Sequence, residues 1–314
     1  MKFDIIVNPA GAGGKTKLVF ESLKPLFLGT DYEVHWSSLE FGIGDIVRKL
    51  TSAGKETNLI IVGGDGSMNE AINAIQDFTH TRIGLIPCGS ANDLAADIGI
   101  GSSLEDHVRK MLQGNTVRSI DVGEVILHSV TEPLKVPEGE EPHVRFNVSA
   151  GIGWDAEICQ CVEVSPWKKP LNKAHLGKLV YIAEAIRTVF GMKPFVSEIT
   201  ADGRTFSYDK TVFLSFMNHR FEGGGFMFGP HASNRDGILD LCAVNDVTPF
   251  KFFAMFPMAY KGRQFETRHA SEERCREYHF RTDRPVWVHT DGEISCMSSD
   301  VTIHLLNEKL NLLF

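Results

Sequence analysis

Three short stretches near the start of the chain combine glycines with small polar side chains in a way that suits anion binding. They are Asn8-Pro9-Ala10-Gly11-Ala12-Gly13-Gly14-Lys15-Thr16, Gly63-Gly64-Asp65-Gly66-Ser67 and Pro87-Cys88-Gly89-Ser90-Ala91-Asn92-Asp93-Leu94. Glycine lets the backbone come close to a ligand and reach positive φ. A helix that starts just after such a turn offers unpaired N–H groups and partial positive charge to a phosphate. The first stretch is not a Walker A loop, because GxxxxGK[ST] ending at Gly14-Lys15-Thr16 requires glycine where Pro9 stands. It is not a dinucleotide fingerprint either, since Thr16 occupies the third glycine position. A phosphate cradle and a plain tight turn both remain open for it. In the second stretch, Asp65 is oddly placed for a pure phosphate cradle. A carboxylate beside phosphates works through Mg²⁺ or handles a proton; the alternative is that it satisfies turn N–H groups. Ser67 with Glu70, and Ser90 with Asp93, read as capping boxes that set helix starts beside the glycines.

The elements that must hold these stretches are legible around them. Phe3–Val7, Leu59–Val62 and Arg82–Ile86 are short apolar runs, each ending at one of the loops. Met68, Ala71, Ile72 and Ile75 repeat with helical spacing, and Leu18, Val19, Leu23, Leu26 and Phe27 form a similar stripe. Continuous apolar strands alternating with amphipathic helices predict a parallel sheet covered on both faces. Ligands of such sheets bind beyond the carboxyl ends of the strands, where the three loops lie. After about residue 122 the pattern changes. Val144–Val148, Val196–Thr200, Thr211–Phe216, Ile238–Val244, Pro285–His289 and Val301–Leu305 read as strands of an antiparallel domain. A single helix, Leu176–Phe190, interrupts them, and Glu132–Pro142 reads as an exposed loop.

Composition narrows the class. The chain has 314 residues, twice a common domain length, and its 32 Lys+Arg against 40 Asp+Glu leave a net charge of −8. Such a balance excludes a non-specific nucleic-acid binder, which needs excess cations. The six cysteines include no CxxC pair, and the histidines no HExxH. Reduced thiols in a cytoplasmic protein are expected, and no zinc site. The first residues do not read as a signal peptide, and no apolar run reaches the length of a membrane span. Ser165–Lys178, SPWKKPLNKAHLGK, carries four Lys and Trp167 without any acid. Trp167 with Lys168, Lys169 and Lys173 suits the headgroups of an anionic membrane, or else is a solvated loop. Phe250–Tyr260 is dense in Phe and Met, either core or the lining of an acyl-chain pocket.

Taken in order, the motifs resemble the diacylglycerol kinase catalytic domain family, which includes bacterial soluble lipid kinases and sphingosine kinases and is distantly related to NAD kinases and phosphofructokinases. The resemblance rests on Asn8-Pro9 and the glycines after it, Gly63-Gly64-Asp65-Gly66, Pro87-x-Gly89-Ser90-x-Asn92-Asp93 and Asp121-Val122-Gly123. It continues through Asn147, Gly151-Ile152-Gly153-Trp154-Asp155-Ala156, Leu176-Gly177-Lys178 with Tyr181, Gly223-Gly224-Gly225, Pro230, Asp236-Gly237-x-Leu239-Asp240 and Asp291-Gly292-Glu293. Ser67 and Ser90 stand where the family usually has Thr, keeping the hydroxyl. Gly262-Arg263-Gln264 lacks the His that many members carry there.

The resemblance implies an α/β + β architecture. A Rossmann-like nucleotide domain (1–122) would be followed by an antiparallel β-sandwich-like domain (123–305), with the tail 306–314 returning to the first and the active site in the interdomain cleft. It implies an ATP-dependent kinase of a lipid hydroxyl, using Mg²⁺, with a diacylglycerol-type acceptor preferred over a soluble acceptor such as NAD or a non-catalytic regulator. Asn8, Gly11, Gly13, Gly63, Gly64, Gly66, Ser67, Gly89, Ser90 and Asn92 would contact nucleotide. Ser37, in the Ser37-Ser38 pair, lies near a family nucleotide contact in an ambiguous register. Glu293 would be the base, with Asp65 its rival or its partner in organising Mg²⁺. Asp236 matches a metal-holding Asp of bacterial relatives. The expected partner is a lipid at the inner face of the membrane, with no nucleic acid and no indicated protein partner. A homodimer is left open.

Overall fold

The computed structural model of the chain describes all residues except 53, 101–102, 115, 132–140 and 168–176. Most of the Glu132–Pro142 loop, and Lys168, Lys169 and Lys173, therefore lie outside the described residues. The chain divides into two compact units, Met1–Val122 with Leu306–Phe314, and Gly123–Leu305.

The first unit contains β1 (Lys2–Val7), α1 (Lys15–Leu23), β2 (Asp31–Trp36), α2 (Ile43–Leu50), β3 (Thr57–Gly63), α3 (Asp65–Ala74), β4 (Thr81–Pro87), α4 (Asp93–Ile98), α5 (Leu104–Gln113) and β5 (Val117–Ile120). The last strand of the chain, β15 (Leu310–Leu313), completes its sheet in the order β2-β1-β3-β4-β15-β5. All neighbours are parallel except β15 and β5. β3 is buried along its whole length, as a central strand covered on both faces must be. The returning strand is pinned at its root, where Lys309 pairs with the buried carboxylate of Asp121.

The apolar stripe expected on α1 is partly misplaced. Leu18 is exposed, while Thr16, Phe20 and Leu23 face the core. The α-helix stops at Leu23, and Pro25 opens a 3₁₀ turn over Lys24–Phe27 that redirects Phe27 inward. A proline cannot supply the N–H that a continuing helix needs. β2 was not expected, because an edge strand with intermediate burial carries no apolar run.

The second unit holds β6 (Gly123–Leu127), β7 (His143–Phe146), β8 (Ser149–Gly153), α6 (Trp154–Val164), α7 (Gly177–Gly191), β9 (Phe195–Ala201), β10 (Arg204–Met217), β11 (Leu239–Asn245), α8 (Pro249–Ala259), β12 (Ala270–Cys275), β13 (Glu277–Thr290) and β14 (Glu293–Leu305). Its antiparallel sheet runs β12-β11-β10-β8-β13-β14-β6-β7, with β9 pairing both β10 and β13. Among the described residues three α-helices interrupt the strands rather than one. The aromatic stretch from Phe250 is α8, and one face of it is core. Phe252 and Met255 pack with Trp154, Phe213 and Val244, while Phe250 is exposed. The Trp154 ring meets Phe252 edge-on at 4.5 Å, and its N–H donates to the Thr188 hydroxyl at 3.1 Å.

Candidate functional site

Because β1, β3 and β4 run parallel, the three glycine loops emerge at one edge of the first sheet. In the first loop, the Asn8 side-chain oxygen accepts the Ala10 N–H at 3.1 Å and the Asn8 carbonyl accepts the Gly11 N–H. This Asx turn leads into a 3₁₀ turn over Gly11–Gly14, with Gly13 and Gly14 at positive φ. Ser37 follows β2 beside this loop, its N–H donating to the Val7 carbonyl at 3.0 Å.

The second and third loops press against each other. A Cβ on Gly64 would lie 2.8 Å from the Cα of Gly89, and one on Gly89 would lie 2.7 Å from the Cα of Gly64. Real Cβ atoms do not approach backbone so closely, so both positions need glycine. What comes close to Gly64 is thus the neighbouring loop. α3 begins at Asp65, with Gly64 as its cap. The first turn of a helix leaves its leading N–H groups, here those of Gly66 and Ser67, without intrahelical partners and available to an anion.

Neither capping box forms. Ser67 lies inside the first turn of α3, and Glu70 instead accepts the Gly44 N–H at the start of α2, at 2.9 Å. α4 is preceded by Asn92 in the left-handed region at φ 54°. The Asn92 side chain makes two bonds to Gly89, accepting its N–H at 2.8 Å and donating to its carbonyl at 2.9 Å. The N–H groups at the start of α4 go to Asp65, which accepts those of Asp93 at 3.1 Å and Leu94 at 3.3 Å. Asp65 therefore stitches the second loop to the third.

In the second unit, Asp291 and Gly292 form the two-residue turn between β13 and β14, at φ 51° and 81°. Both signs are those of a type I′ hairpin, for which Asp-Gly is favoured. The Asp291 carboxylate accepts the N–H groups of Asn147, Val148 and Ser149 at 2.9, 2.7 and 3.1 Å. The Asp291 N–H returns a bond to the Ser149 carbonyl. Glu293, the next residue, opens β14 and is exposed. One expected carboxylate is thus fastened and its neighbour is presented on a fixed turn.

Directly behind this turn lies a cluster that the residue patterns had not revealed. His289 is buried, with its Nε2 at 3.0 Å from Asp155 Oδ2 and 3.4 Å from Glu222 Oε1. Its Nδ1 accepts the Gly292 N–H at 3.1 Å. The Ser149 and Ser215 hydroxyls donate to the two oxygens of Glu222 at 2.6 and 2.7 Å. Burial, then the charge of Asp155, push the Glu222 carboxyl up to about 7. For His289, burial opposes the cation, and the two carboxylates outweigh it and draw the ring's proton affinity upward. Gly223, Gly224 and Gly225 all have positive φ, which lets Glu222 and Phe226 exchange both backbone bonds across a tight loop. A His in an apolar strand, two residues before Asp291, was the one signal available in the chain.

Both oxygens of Asp236 meet protein donors. Its Oδ1 accepts the Ile238 N–H at 3.1 Å and its Oδ2 accepts Arg274 Nη2 at 2.9 Å. The same guanidinium binds the buried Asp240 at 2.9 Å. The carboxylate of Asp65 meets the backbone N–H groups of Asp93 and Leu94, and a carboxylate is also a hard-cation ligand that suits Mg²⁺. Trp167 is exposed. Among the described residues no helix is long and apolar enough to cross a membrane.

The chain thus joins a parallel α/β unit with glycine loops at one edge to an antiparallel unit that carries an anchored Asp-Gly-Glu turn. Residues 2–125 match the family described as Diacylglycerol kinase catalytic domain, and residues 147–314 match the YegS C-terminal NAD kinase beta sandwich-like domain. The chain belongs to this two-domain family of lipid kinases. YtlR of Bacillus subtilis is 25% identical over 297 residues, which cover 92% of each chain. A diacylglycerol kinase of Bacillus subtilis is 26% identical over 77% of this chain and 73% of its own. The crystal structure of a diacylglycerol kinase from Bacillus anthracis superposes with a TM-score of 0.69 at 18% identity, over 100% of this chain and 96% of that one.

Proposed function

We propose that the protein transfers the γ-phosphate of ATP to a hydroxyl of a diacylglycerol-type lipid, with Glu293 accepting the proton of that hydroxyl. The observation that carries this reading is the exposed Glu293 on a turn whose other members are held by buried groups. Phosphoryl transfer asks the protein mainly for positioning and charge stabilisation, and a general base must be held within reach of its proton. In the first unit, the Gly11–Gly14 turn and the start of α3, with Asn8, Ser37, Gly63, Gly64, Gly66, Ser67 and Ser90, serve the nucleotide. Gly89 and Asn92 shape the loop that supports them. Asp65 holds α4 in place and would also hold Mg²⁺, which supplies charge neutralisation on the phosphates when bound. Trp167 and the lysines that follow it meet the anionic surface from which the lipid is drawn.

The test is phosphorylation of a total lipid extract with labelled ATP, set beside NAD as acceptor, for the wild type and Glu293→Gln. Label in a lipid product from the wild type, and its loss in the variant, support the reading. Label on NAD alone makes the protein a kinase of a soluble acceptor. Nucleotide binding without transfer to either acceptor makes it a regulator.

A further inference from the structure

We propose that His289 is a positioning residue for phosphoryl transfer, and that with Asp155 and Glu222 it holds the Asp291–Gly292 turn so that Glu293 stays aimed. The inference rests on the reading of Glu293 as base. It starts from two anchors on adjacent residues. Asp291 is tied to three backbone N–H groups of the 147–149 segment, and the Gly292 N–H is tied to His289 Nδ1. Losing the first anchor loosens the turn from the 147–149 segment, and losing the second loosens Gly292 from the His289 side chain. Glu293 is the next residue after both.

The second anchor specifies a tautomer. Accepting the Gly292 N–H requires a lone pair on Nδ1, so the ring hydrogen sits on Nε2 and points at Asp155. Two proton arrangements carry the same net charge. In one the ring is neutral and Glu222 is protonated; in the other the ring is a cation between two carboxylates. The two carboxylates pull toward the second, and the Gly292 bond opposes them: only the first satisfies Gly292, since in the second two N–H donors meet head on. Ser149 and Ser215, both fully buried, fix Glu222 in place. The groups facing His289 are Asp155 from α6, Glu222 from the loop after β10 and Asp291 from its own turn. The thiols of Cys159 and Cys242 lie behind this cluster, where burial raises both.

β8 is cut to fit the same arrangement. Gly151 pairs with His289 across the sheet. A Cβ there would fall 2.1 Å from His289 Nε2 and 2.3 Å from Asp155 Oδ2. The glycine is the notch that lets an imidazole and a carboxylate meet inside a sheet, and nothing in the pairing of β8 with β13 otherwise requires it. A buried polar network of this kind costs desolvation unless all its members are paired. Here the Gly292 amide joins the imidazole to the turn.

The experiment compares His289→Phe, His289→Asn, Glu293→Gln and wild type by lipid-kinase kinetics and by hydrogen exchange at the Gly292 amide. His289→Phe should lower kcat about 100-fold with the KM for ATP within about twofold, and speed exchange at Gly292 at least about tenfold. His289→Asn, whose side-chain oxygen can accept the same N–H, should recover about tenfold of the lost kcat. Glu293→Gln should abolish turnover while leaving exchange at Gly292 unchanged. Wild-type kcat in His289→Phe beside an inactive Glu293→Gln overturns the positioning role alone. Unchanged exchange at Gly292 in His289→Phe overturns it whatever Glu293 does, whereas an active Glu293→Gln overturns only the base assignment. If His289→Phe does not fold, ¹⁵N spectra of wild-type His289 decide. A neutral ring protonated at Nε2 at pH 7 supports the inference, and a doubly protonated ring overturns it.

Discussion

Asp65 and Asp291 look alike along the chain, each an acid beside glycines, and in space each is a clamp on backbone N–H groups of another segment. They differ in what they clamp and in what stands beside them. Asp65 holds the start of a six-residue helix with two bonds, at 3.1 and 3.3 Å. Asp291 holds an extended segment with three, and the residue after its turn is the exposed Glu293. An acid in a glycine loop thus has a structural duty before it has a chemical one. In the proposed reading Asp65 serves Mg²⁺, and Glu293 beside Asp291 serves as the base.

The sharpest break of this comparison is Glu293→Gln, which should lower kcat at least about 1,000-fold with little change in Tm, read by steady-state lipid phosphorylation. Asp65→Asn should cost about 100-fold in kcat, because it weakens both the clamp and the Mg²⁺ contact. Its stability loss should stay near 1 kcal/mol, as for a lost helix cap. Asp291→Ala should reverse that balance, with a loss of about 3 kcal/mol by denaturant unfolding, since three N–H groups lose a charged acceptor.

A pH series sharpens the contrast further. Folded Glu222 keeps its proton to about 7, while in the unfolded chain it ionises near its ordinary value. Between those points the native state binds more protons, so stability falls as pH rises from about 4.5 to 7. Glu222→Gln should flatten that part of the Tm–pH curve, and a curve of unchanged slope would remove Glu222 as its source. The smallest effect is expected at the basic stretch. Replacing Lys168, Lys169 and Lys173 by Ala should weaken binding to anionic vesicles about tenfold or more in a sedimentation assay at low salt, with kcat on detergent-dispersed lipid unchanged.

The parallel core was readable because β1, β3 and β4 are continuous apolar runs, and such runs have few other fates. β2 and the helix α6 were not, since neither carries a clean period. Glycines 64 and 89 stood out, yet their reason was hidden. They meet only once two loops 25 positions apart are laid side by side, and a ligand seemed the simpler cause of their cost. The capping boxes failed for a related reason: Glu70 and Asp65 found partners on other elements, and local patterns cannot see tertiary competitors. The Asp155–Glu222–His289 cluster was beyond reach for the same cause. Its members come from three elements, and each looks ordinary where it stands.

The chain's last strand lies between β4 and β5, not at a margin of the first sheet. A ribosome making this protein has synthesised all of the second unit before the first can close. Until residue 313 emerges, β4 offers a bare edge and β5 has no neighbour. The glycine loops at the ends of β1, β3 and β4 therefore sit on an unfinished sheet until then, and a nascent or truncated chain exposes an edge open to pairing with other chains.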